Sequence, residues 1–201
     1  FYPMHAGWEL YQPVGFPGTP NVSFPGRDSV VSAFSRELIR FIDREIQPQV
    51  ARIERQIQSR PDDPRWRNRL GVLYGQYGLT EQAIEQFEMV LHRNPEYGPT
   101  LLNIGNVHFL NEDYRLAGTF YERAQQVNPE DPTVLLAVAR VNHEIENYGT
   151  AGEAYEQLKQ IDPSLADRFA YLELRSQAGG RASDATALKS VVVWSQTEET
   201  E

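Results

Sequence analysis

The chain has 201 residues, 40% apolar and 23% charged, with a formal net charge of −9 and no cysteine. That length allows one or two domains with a real core. The negative balance repels a nucleic-acid backbone, so no nucleic-acid partner is expected, and the missing cysteines exclude thiol catalysis, thiolate metal sites and disulfides.

The first element in chain order, residues 1–27, is rich in proline, glycine and aromatics and is expected to be extended. Tyr2, Trp8, Tyr11, Phe16 and Phe24 are its anchors. Leaving them in water is costly, so Trp8 and Tyr11 are expected to pack on the rest of the chain. Asn21-Val22-Ser23 forms a glycosylation sequon, a triplet that is common by chance. Because the sequence starts at Phe1 and not at Met, it is expected to be processed or cut from something longer.

Residues 28–61 are helical in pattern. Val31, Phe34, Leu38, Ile42, Ile46, Val50, Ile53 and Ile57 recur every three or four positions, with Asp28 as N-cap. Pro48 interrupts the run, so either the helix kinks there or Pro48 opens the second helix of a degenerate repeat. The first of these is the favoured reading.

From residue 64 the chain writes one pattern three times, 34 residues apart, over 64–97, 98–131 and 132–165. The matching columns are Leu70/Ile104/Val138, Gly71/Gly105/Ala139, Ala83/Ala117/Ala151, Phe87/Tyr121/Tyr155, Val90/Ala124/Leu158 and Pro95/Pro129/Pro163. Within a copy the apolar spacing is helical. Leu70, Leu73 and Tyr74 share one face of a first helix; Ala83, Ile84, Phe87, Val90 and Leu91 share a face of a second. The small columns are expected where the paired helices approach closely. Gly78, Asn111 and Asn147 are expected at the sharp turns between them, and the closing proline is expected to end one unit and start the next. Tyr74, His108 and Asn142 occupy one column with very different bulk, so looser packing is expected there.

Residues 166–178 are expected to form a capping helix, with Leu165, Phe169 and Leu172 as one apolar stripe. Residues 179–201 read as a linker and an acidic tail. Inside them, Val191 to Trp194 has strong strand propensity and no partner within the repeat pattern.

Catalytic and metal-binding patterns are not found. His5, His92, His108 and His143 fall on separate elements, and the stretch beginning at His143 has Asn147 where a zinc-binding helix needs a second histidine. There is no phosphate-binding loop and no nucleophile elbow. No catalytic residue, cofactor or metal is expected.

The small, aromatic and proline columns together resemble the tetratricopeptide-repeat family over residues 64–165, about half the chain. "SRPDDPRWRNRLGVLYGQYG" is most similar to bacterial members. The resemblance implies an all-α fold: a right-handed helical-hairpin solenoid of three repeats with flanking helices and extended termini. It also implies a non-enzymatic scaffold with a protein or peptide partner in the concave groove. The groove positions it assigns are Asn68, Arg69, Val72 and Gln76; Leu102, Asn103, Asn106, Phe109 and Leu110; and Leu136, Arg140, His143 and Glu144. Asparagine both donates and accepts, so it can hold an extended backbone whatever its sequence. Arg69 and Arg140 suit a carboxylate, while Leu102, Phe109 and Leu110 offer an apolar patch. Of the clamp that binds chaperone tails in some family members, only Asn103 is matched among Asn68, Val72, Asn103, Thr133 and Ala137, so that role is disfavoured. A role in assembling a larger complex is favoured. The rivals are a regulatory or anchoring segment of a larger enzyme or membrane complex, and an assembly factor of the cytochrome c maturation type. Envelope and cytoplasm both stay open, as does the oligomeric state.

Overall fold

The structure, a computed structural model, describes residues 27–173 and 191–196, with side chains from Arg40 onward apart from residues 42 and 43. The expectations for residues 1–26, 174–190 and 197–201, including the five N-terminal aromatics, lie outside the described residues. By its contacts the chain divides into two compact units, Phe1–Phe41 and Ile42–Glu201. In the first, the described residues are helical from Arg27.

Every regular element among the described residues is helical. α1 (Arg27–Ser59) enters the second unit as one helix, with Pro48 inside it and Ile46, Val50 and Ile53 buried against Leu70 and Leu73. Three helix pairs follow: α2 (Pro64–Gln76) with α3 (Thr80–Arg93), α4 (Gly98–Leu110) with α5 (Tyr114–Val127), and α6 (Pro132–Glu144) with α7 (Tyr148–Ile161). Each pair packs on the next through α3 on α4 and α5 on α6. The first helices also touch one another, α2 against α4 and α4 against α6, and so line one continuous face. No described helix is long and apolar enough to cross a membrane.

The close crossings have a definite cause. A Cβ on Gly71 would lie 2.4 Å from the Phe87 ring, and one on Gly105 would lie 2.3 Å from the Tyr121 ring. The glycine column is therefore a seat for the aromatic column of the paired helix. Ala83, Ala117 and Ala151 are buried along with it.

The turns depart from the sequence reading. Gly78 takes a left-handed backbone (φ 71°) as expected, but in the next two hairpins that conformation belongs to Glu112 (φ 64°) and Glu146 (φ 62°), not to Asn111 and Asn147. The turn keeps the 34-residue period, and Glu112 and Glu146 are the positions that correspond to Gly78. Asn147 serves by its side chain instead, donating to Asn142 Oδ1 at 2.9 Å and to Thr150 Oγ1 at 3.0 Å.

Different prolines end and begin the units. α3 and α5 stop one residue before the asparagine that precedes Pro95 or Pro129. The following helices are opened by Pro99 and Pro132, set in their first turns where no backbone donor is missed. Of the three closing prolines only Pro163 itself begins a helix, α8 (Pro163–Arg168), whose N-terminus Asp162 caps through the Leu165 amide. That cap draws the helix start ahead of residue 166. A short 3-10 turn, Ala170–Leu172, comes next.

The uneven column is filled in three ways. Tyr74 is partly buried between two clusters, the His108 ring stacks on Phe120 at 5.6 Å, and buried Asn142 donates to Val138 O at 2.9 Å. Each residue is packed or hydrogen-bonded, which replaces the looser packing expected from the sequence.

Candidate functional site

The face lined by α2, α4 and α6 carries polar residues at positions that a soluble helix reserves for its core. Asn68, Thr100, Asn103, Asn106 and Arg140 are all buried. A buried polar group is costly unless it is partnered, and here the partners are largely main chain from far along the sequence.

Residues 191–196 cross this face without regular secondary structure. Arg140 donates to the Val191 carbonyl. Asn106 Nδ2 donates to Val193 O at 2.9 Å. Ser195 O accepts from Asn103 Nδ2 at 2.9 Å and from Asn68 Nδ2 at 3.0 Å, and the Ser195 amide donates back to Asn103 Oδ1 at 2.9 Å. The asparagine amide thus pairs with Ser195 as a neighbouring β-strand would. The bonded residues are 191, 193 and 195, the period-two register of an extended chain. The segment runs from α6 towards α2, against the order of the hairpins.

A second layer holds these side chains in place. Thr100 Oγ1 donates to Asn68 Oδ1 at 2.8 Å, and Asn103 Nδ2 donates to the same oxygen at 3.0 Å. The Tyr121 hydroxyl donates to Asn106 Oδ1 at 2.8 Å, which aims the Asn106 amino group at Val193. Burial raises the Tyr121 pKa, against the smaller opposing effect of the Arg140 charge, which favours the protonated hydroxyl that donates here. The Arg140 guanidinium lies over the rings of Phe109 (4.7 Å) and Phe169 (5.3 Å), so it is fixed on two sides.

The apolar side chains divide between two clusters. Trp194 packs against the cluster of Val72, Phe87, Ile104 and Val107, with its ring on Gly75: a Cβ there would lie 2.6 Å from the tip of the indole. Val192 and Val193 pack on the cluster that contains Leu102, Phe109 and Leu136.

The structure therefore brings Asn68, Asn103, Asn106 and Arg140 together on one backbone, with Val72, Leu102, Phe109 and Leu136 in the clusters beneath it. Arg69 lies 5.8 Å over the Trp66 ring, while Gln76 and Leu110 are exposed. His143 meets the rings of Tyr148 and Tyr171, with Glu144 at 3.9 Å. Arg140 holds a main-chain carbonyl where a carboxylate was expected. Sequence reasoning did not find Thr100, Gly75 or Tyr121 as contributors, nor the segment itself. The available signal was the strand-forming run Val191–Trp194, which had no partner until the asparagines supplied one.

Residues 102–166 match the sequence model of the family described as Tetratricopeptide repeat. Among solved structures, one of MamA aligns with a TM-score of 0.53 at 19% identity, covering 69% of this chain and 81% of that one. A thermophilic TPR protein of Thermus thermophilus, TTC0263, aligns with a TM-score of 0.56 at 19% identity, covering 76% and 86%. PilF of Pseudomonas aeruginosa aligns with a TM-score of 0.56 at 16% identity, covering 83% and 87%. At such identities the likeness is one of fold. No curated protein matches the chain.

Proposed function

We propose that this chain, a tetratricopeptide-repeat protein, is a non-enzymatic interaction scaffold that holds an extended peptide along the face made by α2, α4 and α6. One observation carries this reading: Asn68, Asn103, Asn106 and Arg140 all bond to main-chain atoms of a single extended segment. Main-chain recognition of this kind supplies affinity, while pockets for alternate side chains supply selectivity. A face that grips backbone suits a subunit that helps to assemble a larger complex, which is the role we assign it.

The test is a random peptide library displayed on phage and panned on the full chain carrying Trp194→Ala, which removes the indole that helps to seat the resident segment. The same panning is done with Asn103→Ala added. Enrichment should depend on Asn103, because that side chain makes two of the main-chain bonds. Equal enrichment on both chains would place peptide binding elsewhere.

A further inference from the structure

Building on that reading, we infer that the groove selects one class of segment, an extended run of β-branched residues leading into a tryptophan and a small residue. We also infer that Val191–Ser195 is a resident copy of that class, which a partner's segment must displace. The asparagine bonds reach only main chain and so fix direction and spacing without choosing a sequence. Choice has to come from the side chains, and there the groove is not uniform.

The indole rests on Gly75 and leaves no room for a Cβ. One and two periods later the matching positions are Phe109 and His143. Phe109 is buried and His143 is held between aromatic rings, so neither site offers a flat backbone seat. Only the first hairpin accepts a tryptophan. With the tryptophan fixed over α2, the asparagine register puts Val193 at Asn106. There its side chain packs on the cluster that holds Phe109, Leu136 and Ala137, and forms one wall of a small cavity between α4 and α6. A shift of one residue would turn the carbonyls away from their donors and lift the tryptophan off its seat. Register, direction and side-chain pattern therefore specify one another.

The resident segment reaches the groove from the same chain. Arg140 touches both the Phe169 ring and the Val191 carbonyl, and Leu172 lies in the cluster on which Val192 and Val193 pack, so residues just before and just after 174–190 share one neighbourhood. A stretch of that length spans up to ~55 Å if extended, more than such a gap requires. Binding within one chain then acts at an effective concentration on the order of millimolar, and an outside ligand has to compete with it.

The experiment uses a fluorescently labelled peptide of residues 190–197, SVVVWSQT, titrated by anisotropy into the full chain and into full chains carrying Trp194→Ala or Ser195→Pro. The proline removes the amide that donates to Asn103 and keeps every apolar side chain of the segment, which guards against a Trp194→Ala chain that folds poorly. Both variants should bind the peptide at least tenfold more tightly than the parent. The same peptide with alanine for tryptophan should lose at least tenfold on them, and Gly75→Ala added to either should abolish that difference. The inference is overturned if the parent binds as tightly as the variants, or if the peptide's tryptophan makes no difference. It is also overturned if the parent forms concentration-dependent oligomers that Ser195→Pro dissolves, because the segment would then be exchanged between copies. Asn103-dependent library sequences that lack tryptophan would defeat this selectivity while leaving the peptide-groove reading intact.

Discussion

Two glycines of α2, four residues apart, do different work. Gly71 seats a core aromatic, as Gly105 does in α4, whereas Gly75 seats an indole from a distant segment. Gly105→Ala would drive a Cβ to 2.3 Å from the Tyr121 ring, which cannot withdraw because its hydroxyl is bonded to Asn106. Overpacking of this kind costs ~1–3 kcal/mol, so a clear fall in the urea midpoint is expected. Gly75→Ala meets only the far end of Trp194, so a smaller loss is expected, together with greater quenching of Trp194 by acrylamide. Equal losses from the two substitutions would mean that the Trp194 segment is as firmly fixed as the core.

His108 adds a dependence on pH. Burial beneath Phe120 lowers its pKa from the ordinary 6.5, and Asp113 at 3.8 Å, too far for a hydrogen bond, opposes this only in part. The folded state therefore disfavours the proton that the unfolded chain accepts. This contribution to stability is complete above the unfolded value and is lost as pH falls through the lowered folded one. His108→Tyr, which restores the residue type of the first hairpin, should flatten the decline of the melting temperature on acidification below about pH 6.5. Parallel melting curves for parent and variant would assign the acid sensitivity to other groups.

At the scale of the element, the turns hold strain that the helices do not. Glu112 and Glu146 sit in the left-handed region, which costs a residue with a Cβ ~1–2 kcal/mol. Glycine gives back ~0.5–1 kcal/mol of this through its freer unfolded state. Glu112→Gly should therefore raise the unfolding free energy by ~0.5–1 kcal/mol, read from urea denaturation. Helix starts are uneven too. Asp63 and Asp131 cap α2 and α6 through side-chain oxygens, while α4 starts at Tyr97 with no side-chain cap. The middle pair depends instead on burial, since α4 is enclosed on nearly all of its faces.

For the molecule as a whole, the extended segment changes how the array holds together. Stacked repeats normally touch only their neighbours, so stability is passed along them pair by pair. Here one extended segment bonds to α2, α4 and α6 at once. Removing residues 191–201 should loosen the outer pairs more than the middle one. In native-state hydrogen exchange, α6 and α2 should lose more protection than α4. A uniform loss, or none, would show that the segment does not couple the pairs.

How far the sequence reached follows from the range of each interaction. The paired helices, their 34-residue period and the small-against-aromatic crossings are local and repeated, so three aligned copies reveal them. That Asn68, Asn103, Asn106 and Arg140 share one face was also legible, through the family resemblance. The left-handed glutamates were missed because residue type pointed to the adjacent asparagines, while the period of the backbone chose Glu112 and Glu146. The partner of Val191–Ser195 was beyond sequence reading altogether. Its bonds join residues 51 to 127 positions apart and fall on no repeat of their own. A strand-forming run states that it needs backbone partners, but not where they are. Only the stacking of α2, α4 and α6 sets the asparagine amides at a spacing that an extended chain can meet.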